Sequence, residues 1–399
     1  MNGVVVPVGV TLSIQIAVSG AGVAGAVLAP LANDDLGLNA AFVGIYVAYM
    51  YAAAAMVTAT SGAWLQRFGP IGTSQICLGF SGLSLLSIST GTLWGFALAG
   101  LFAGLGYGPT TPASSAILAR VGRPDQRNLI FSIKQTGVPG GNMIAAAAIP
   151  SLALAFGWQA AAALGGAAVL MLAVALAPLR ERMDALAPIA RAPSLRAALV
   201  DPMRTILARP DLRRMALISI AYSGLQGALS AFLMVMLVEE AALGVVAAGF
   251  VLAIAQAAGV GGRVLWGVVA DRLGKPALIL GLLGLAMGAF GIATALGASR
   301  LPLPALWALA VCFGGTAVAW NGVYLAELAR LAGPARAGEI IGASGFFTFG
   351  GVAILPFAFT LIVLATGSYA LALALVSCPA LLGGMGLLRA GGGTAKPLS

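Results

Sequence analysis

From Gly72 to Ala119 the chain contains no Lys, Arg, Asp, Glu or His. That run is more than twice the roughly 20 residues a helix needs to cross about 30 Å of hydrocarbon, so it holds at least two membrane passes. Similar runs fill the 399 residues, of which 60% are hydrophobic and only 8% charged. Soluble domains carry about 25% charged residues, and a chain this poor in them cannot cover itself with a water-compatible surface. Only helices and closed barrels satisfy their backbone in lipid. The runs lack the dyad polar/apolar alternation of barrel strands. The sequence therefore predicts an all-α membrane protein. Its 55 glycines suit closely packed membrane helices, where small residues let backbones approach.

Breaks at charged and turn-rich points predict twelve transmembrane helices. They fall at 5–32, 40–65, 72–92, 94–119, 128–155 and 158–179, then at 214–238, 245–270, 276–298, 305–329, 340–366 and 369–388. No basic residue precedes Arg67, so the first apolar run lacks the positive start of a signal peptide and reads as the first membrane helix. With both termini in the cytoplasm, 18 of the 21 basic residues fall in cytoplasmic loops, eight of them between Arg180 and Arg214. Arg300 alone falls in an outer loop, and Lys134 and Arg263 lie inside helices. The opposite orientation would place nearly all the positive charge outside and is rejected. The net charge of +9 is thus an orientation signal for a bacterial inner membrane, and nucleic acid is not an expected partner. The predicted organisation is an N-terminal six-helix bundle at 1–179, a cytoplasmic linker at 180–213 and a C-terminal six-helix bundle at 214–399. The linker, broken by Pro188, Pro193, Pro202 and Pro210, has room for a short amphipathic helix.

The two halves match each other. At an offset of 205, Asp34-Asp35 falls on Glu239-Glu240, Gly44 on Gly249, Gly62 on Gly267, Arg67 on Arg272 and Gly69 on Gly274. At an offset of 210, Ala119-Arg120 falls on Ala329-Arg330 and Gly140-Gly141 on Gly350-Gly351. The ordered set marks a duplication. Cys77, Cys312 and Cys378 all lie in apolar runs and suggest neither disulfide nor metal site. No phosphate-cradling Gly-x-x-x-x-Gly-Lys-Ser/Thr loop is present, so no ATP drive and no cofactor is expected. An intramembrane enzyme should show a buried His/Asp/Glu or Ser/His set, and a channel a repeated pore-lining filter; neither is visible.

After the eighth helix the chain reads Gly267-Val-Val-Ala-Asp271-Arg272-Leu-Gly274-Lys275. This resembles the loop signature of the major facilitator superfamily, Gly-x-x-x-Asp-Arg-x-Gly-Arg/Lys. The first-half copy, Gly62-Ala-Trp-Leu-Gln66-Arg67-Phe-Gly69-Pro70, keeps the glycines and arginine but has Gln66 for the acid. The resemblance implies a major facilitator fold, a monomer in the lipid bilayer, alternating access, and a cytoplasmic gate at Gly62, Arg67, Gly69, Gly267, Asp271, Arg272 and Gly274. Glu327, near the cytoplasmic end of the tenth helix, is expected to pair with Arg272.

Ionisable residues inside a membrane helix are costly and point to function. Lys134 lies seven residues beyond Arg127, roughly 10 Å deep, and Arg263 eight residues before Asp271, roughly 12 Å deep. No acid stands at that depth to neutralise them. An arginine at this spacing before Asp271 resembles the oxalate/formate exchanger and monocarboxylate carrier group, where it binds carboxylate. The resemblance implies that Arg263 and Lys134 face a small anionic substrate, the eleventh helix (340–366) having no lysine of its own. Gln15, Tyr107, Tyr222, Gln226, Trp320, Asn321 and Tyr324 are candidates to complete the site. The structural alternatives are that Arg263 bonds backbone carbonyls and that Lys134 extends toward the cytoplasm. A co-transported proton, an exchanged anion or simple uniport all remain open. The alternative within the fold is a proton-coupled drug or metabolite exporter, which needs no cation at its site.

Overall fold

The computed structural model describes residues 2–28, 32–36, 40–121, 123–186 and 194–389. Among these residues the chain is helical and has no strand. The first bundle comprises α1 (Asn2–Leu28), α2 (Asn33–Leu36), α3 (Ala40–Thr58), α4 (Ser61–Ser89), α5 (Leu93–Leu118), α6 (Arg127–Gln135), α7 (Gly137–Phe156) and α8 (Trp158–Ala175). Two linker helices follow, α9 (Arg180–Ala185) and α10 (Leu195–Ala208). The second bundle comprises α11 (Pro210–Glu239), α12 (Val245–Leu273), α13 (Pro276–Gly297), α14 (Leu303–Ala317), α15 (Asn321–Ala332), α16 (Ala337–Thr366) and α17 (Tyr369–Arg389). Pro188, Arg191, Pro193 and Lys396, counted in the loop reading, lie outside the described residues, as do residues 29–31 of the first predicted helix.

Ten helical segments are long and apolar enough to span a membrane. The shorter apolar segment Tyr46–Ala59 and α5 bring the passes to twelve. In α5 the run Gly-Tyr-Gly-Pro-Thr-Thr-Pro lowers the hydropathy without breaking the helix. Two passes are discontinuous: α6 gives way to α7 at Thr136, and α14 to α15 at residues 318–320. The second pass runs on into the start of α4, which reverses at Gly69 (φ 73°) before Pro70. A side chain there would be strained, and its Cβ would meet the Asp184 carboxylate at 2.5 Å. Asp184 accepts from the Ile71 N–H at 2.6 Å. A carboxylate from α9 thus caps the third pass, close to the Gln66 that replaces the acid in the first-half loop motif.

The duplication is visible in contacts. Asp35 accepts from the Trp158 indole N–H at 2.6 Å, at the start of α8. Its counterpart Glu240 accepts from Ser368 Oγ at 3.0 Å and the Ala370 N–H at 2.9 Å, at the start of α17. Helix α1 meets α7 at Gly20 and Gly141, as α11 meets α16 at Gly224 and Gly351. A Cβ on Gly141 would stand 2.2 Å from the Ile16 carbonyl oxygen, and one on Gly351 2.3 Å from that of Ile220.

The halves close on each other at the arginine-rich face. Asp271, in the last turn of α12, accepts from the Asn128 N–H at 3.0 Å, Asn128 Nδ2 at 2.7 Å and the Leu129 N–H at 2.8 Å. Its carboxylate therefore caps α6 of the opposite bundle, where the helix dipole favours negative charge. Around this clasp Gly267 and Gly322 pack against Ser132, Gly338 against Leu65 and Gly342 against Ser61. Arg120 Nε also crosses between bundles, donating to the Pro334 carbonyl at 3.2 Å. The expected Glu327–Arg272 pair does not form. Glu327 is held by Arg330 at 2.7 and 2.8 Å, one turn along the same helix, and Arg272 is exposed. Gly62 is buried, while Arg67 is exposed and lies over the Phe68 ring at 5.4 Å.

Two predictions follow from this packing. Gly141→Ala and Gly351→Ala should each destabilise the protein by about 1–3 kcal/mol through overpacking. Gly140→Ala and Gly350→Ala, whose Cβ atoms meet nothing closer than 3.9 Å, should leave the thermal midpoint in detergent unchanged. Asp271→Asn keeps the shape but weakens the clasp. A cysteine placed by Ser132→Cys, with the three native cysteines removed, should then react severalfold faster with an impermeant maleimide from the arginine-rich side.

Candidate functional site

The two broken passes converge on one side chain. Pro139 has no N–H, so the carbonyl of Gln135, four residues earlier, lacks its helical donor. Arg263 supplies the donor from α12 in the other bundle, through Nη1. Its Nε donates at 3.0 Å to the carbonyl of Val318, inside the break between α14 and α15. One turn further along, the Trp266 indole donates to the Gly315 carbonyl at 2.8 Å and fixes the same face of α12. Arg263 is only 3% exposed, and no carboxylate bonds it among the described residues. Two neutral carbonyls orient the guanidinium but do not cancel its charge.

Lys134 sits behind the cavity wall, 1% exposed. Its ammonium donates to Gln15 Oε1 at 2.6 Å, Thr111 Oγ1 at 3.2 Å and Gln135 Oε1 at 2.9 Å. Those three acceptors match its three N–H groups. Gln15 in turn donates to Ser19 Oγ at 3.0 Å. Gln135 joins the two cations: its side-chain oxygen accepts from Lys134, its backbone carbonyl from Arg263, and its amide nitrogen donates to Asn321 Oδ1. One residue of the first bundle thus touches both cations and the first residue of α15.

A cavity of about 620 Å³ lies between the bundles, with Arg263 and Gln135 in its wall. Thr58, Leu325 and Ile341 line it toward the arginine-rich face, where the clasp closes it. Asn142, Gln256 and Pro356 line it in the opposite direction. Of the candidates, Arg263, Tyr107, Gln226, Trp320, Asn321 and Tyr324 line the cavity. Gln226 accepts from the Trp320 indole at 3.0 Å, and the Tyr324 hydroxyl is paired with Ser344. Gln15 and Lys134 are not in the wall; Lys134 bonds Thr111 and Gln135, which are. Tyr222 is fully buried and leaves the site: its hydroxyl donates to the Leu280 carbonyl at 2.9 Å, packing α11 on α13. Tyr222 and Gln226 are one turn apart, yet the stripe they share spans both cavity and bundle core. Tyr51, Gln135, Gln256 and Phe349 also line the cavity and were not singled out from sequence. For Gln135 a signal existed, since it stands four residues before a proline and beside an intramembrane lysine. Among the described residues no group of three His, Cys, Asp or Glu is placed to hold a metal ion.

Comparison with known proteins agrees with this architecture. The family model of the Major Facilitator Superfamily matches residues 10–356. A search of the curated proteins found no match. Among solved structures, the human organic anion transporter MFSD10 aligns with a TM-score of 0.75 at 17% identity, covering 97% of this chain and 99% of that one. A bacterial homologue of the iron transporter ferroportin, in an outward-facing state, aligns with a TM-score of 0.75 at 16% identity, covering 96% and 98%. The E. coli fucose:proton symporter FucP aligns with a TM-score of 0.73 at 15% identity, covering 97% and 99%. At these identities the structural likenesses speak for the fold alone. The match over most of the sequence, joined to twelve passes and a central cavity between two bundles, shows that this chain belongs to the major facilitator superfamily.

Proposed function

We propose that this protein is a secondary carrier that moves a small organic anion, a carboxylate, across a bacterial inner membrane by alternating access. The observation that carries the reading is the state of Arg263. It is the one charged side chain lining the cavity among the described residues, and the partners that hold it are neutral carbonyls. A guanidinium has five N–H groups, of which Nε and Nη1 each make one bond here, so the Nη2 edge remains for a substrate oxygen. A carboxylate is the group that suits such an edge in charge and in planar geometry.

The positive-inside orientation makes the arginine-rich face cytoplasmic, with both termini on that side. The structure then corresponds to an outward-facing carrier, its cytoplasmic side clasped by Asp271 on α6. Arg263 spans the halves by joining α6–α7 to the break in α14–α15. An anion that competes with these carbonyls for the guanidinium would loosen the central contact between the bundles. That couples occupancy to rocking, with the glycine contacts as sliding surfaces. Charge balance comes from a co-transported proton or an exchanged anion. The carrier works in this reading as a monomer in the bilayer.

The reading is tested by carboxylate binding to purified protein, followed by thermal shift and calorimetry. A mono- or dicarboxylate should raise the thermal midpoint of the wild type. Arg263→Ala should weaken binding at least tenfold, because charge-assisted bonds contribute about 1.5–3 kcal/mol. Arg263→Lys should not restore it, since an ammonium cannot hold both carbonyls and still offer a planar edge. Binding of only neutral or cationic compounds, or equal carboxylate affinity in Arg263→Ala, would replace this reading with the proton-coupled exporter.

A further inference from the structure

The anion reading accounts for Arg263 but not for what stands above it. Tyr51 of α3, Tyr107 of α5 and Phe349 of α16 form a triangle of rings inside the cavity. Their centroids are 6.1 Å apart for Tyr51–Tyr107, 5.9 Å for Tyr51–Phe349 and 5.8 Å for Tyr107–Phe349. None of the three is fully buried. Two come from the first bundle and one from the second, so the cluster bridges the halves as Arg263 does.

The depth of the cluster is informative. Arg263 stands eight residues into α12 from Asp271, roughly 12 Å from the arginine-rich end. Tyr107 stands twelve residues before Ala119 and Phe349 twelve after Ala337, roughly 18 Å by the same measure. The Cα atoms of Tyr107 and Phe349 thus lie about one helical turn further from the arginine-rich end than that of Arg263. A cation and an aromatic cluster therefore line the same cavity, on helices of both bundles.

The charge count restricts the ligand further. Arg263 is the one charged side chain in the cavity wall among the described residues. Lys134 lies behind that wall with three neutral acceptors around its ammonium. One carboxylate finds a partner and a second would not.

We propose that the transported anion is an aromatic monocarboxylate. Its carboxylate takes the Nη2 edge of Arg263, and its ring packs against the Tyr51–Tyr107–Phe349 cluster. The inference rests on the anion-carrier reading and narrows it. Ring pairs gain from edge and offset-face contacts beyond the area they bury, so such a site distinguishes a planar ring from a saturated one of similar size. A volume of about 620 Å³ lies within the range of small-molecule sites.

The test compares benzoate, cyclohexanecarboxylate and terephthalate by calorimetry on the purified wild-type protein, then on Phe349→Leu and Tyr51→Leu. Each variant is first checked for an unchanged thermal midpoint. Benzoate should bind about fivefold tighter than cyclohexanecarboxylate. That ratio should fall toward one in a folded leucine variant, while cyclohexanecarboxylate affinity stays within about twofold. Terephthalate should bind more weakly than benzoate. Equal affinity for the two monocarboxylates in the wild type, a ratio that survives both leucine substitutions, or terephthalate as the tightest ligand would each overturn the aromatic monocarboxylate. If neither monocarboxylate binds, this inference falls; if no mono- or dicarboxylate binds at all, the anion-carrier reading falls with it.

Discussion

An intramembrane guanidinium held by two backbone carbonyls is the interaction around which the centre of this protein is built. Each carbonyl is available because a helix is interrupted: Pro139 removes the donor due to Gln135, and the break at 318–320 places Val318 outside α14 and α15. In hydrocarbon an unsatisfied carbonyl costs several kcal/mol, so broken helices survive at mid-membrane only where something fills the gap. Arg263 fills both gaps at once, and it lies across the boundary between the bundles. The same residue is thereby a structural pin and the charge facing the cavity. Backbone bonding and substrate binding by Arg263 are compatible, because the carbonyls take Nε and Nη1 and leave Nη2.

Away from the centre the halves touch through small residues and one carboxylate. Asp271 caps a helix of the opposite bundle, so the clasp uses a helix dipole and not a cation. Helix termini and glycine faces suit a contact that must form and release, since neither buries an ion pair whose separation would cost several kcal/mol. The first half has lost the acid of its loop copy at Gln66, and Asp184 from the linker caps the adjacent helix within its own bundle. The duplication has therefore been divided: the second-half copy links the bundles, and the first-half region anchors the linker.

The twelve passes, their pairing in two halves and the place of Arg263 inside a helix were legible in the sequence. Charge runs, loop arginines and spacing from Asp271 report depth along a helix directly. Rotation about the helix axis was not legible, and it decided the rest. Lys134 has the predicted depth but points behind Gln135, and Tyr222 shares a stripe with Gln226 yet faces Leu280. The Glu327–Arg272 expectation overlooked a local competitor, because Arg330 stands three residues away on the same helix. Tyr51 and Phe349 sit in apolar runs, where an aromatic residue facing a cavity looks the same as one facing lipid.

A structure of the wild-type protein with saturating 4-bromobenzoate would show whether the Arg263 guanidinium holds a ligand. The bromine can be located by its anomalous scattering. The carboxylate should lie on Nη2 of Arg263 and the bromine on the far side of the ring, toward Tyr107 and Phe349. An empty cavity at saturation, or a ligand bound elsewhere while Arg263 contacts only Gln135 and Val318, would show that the arginine is a structural pin alone.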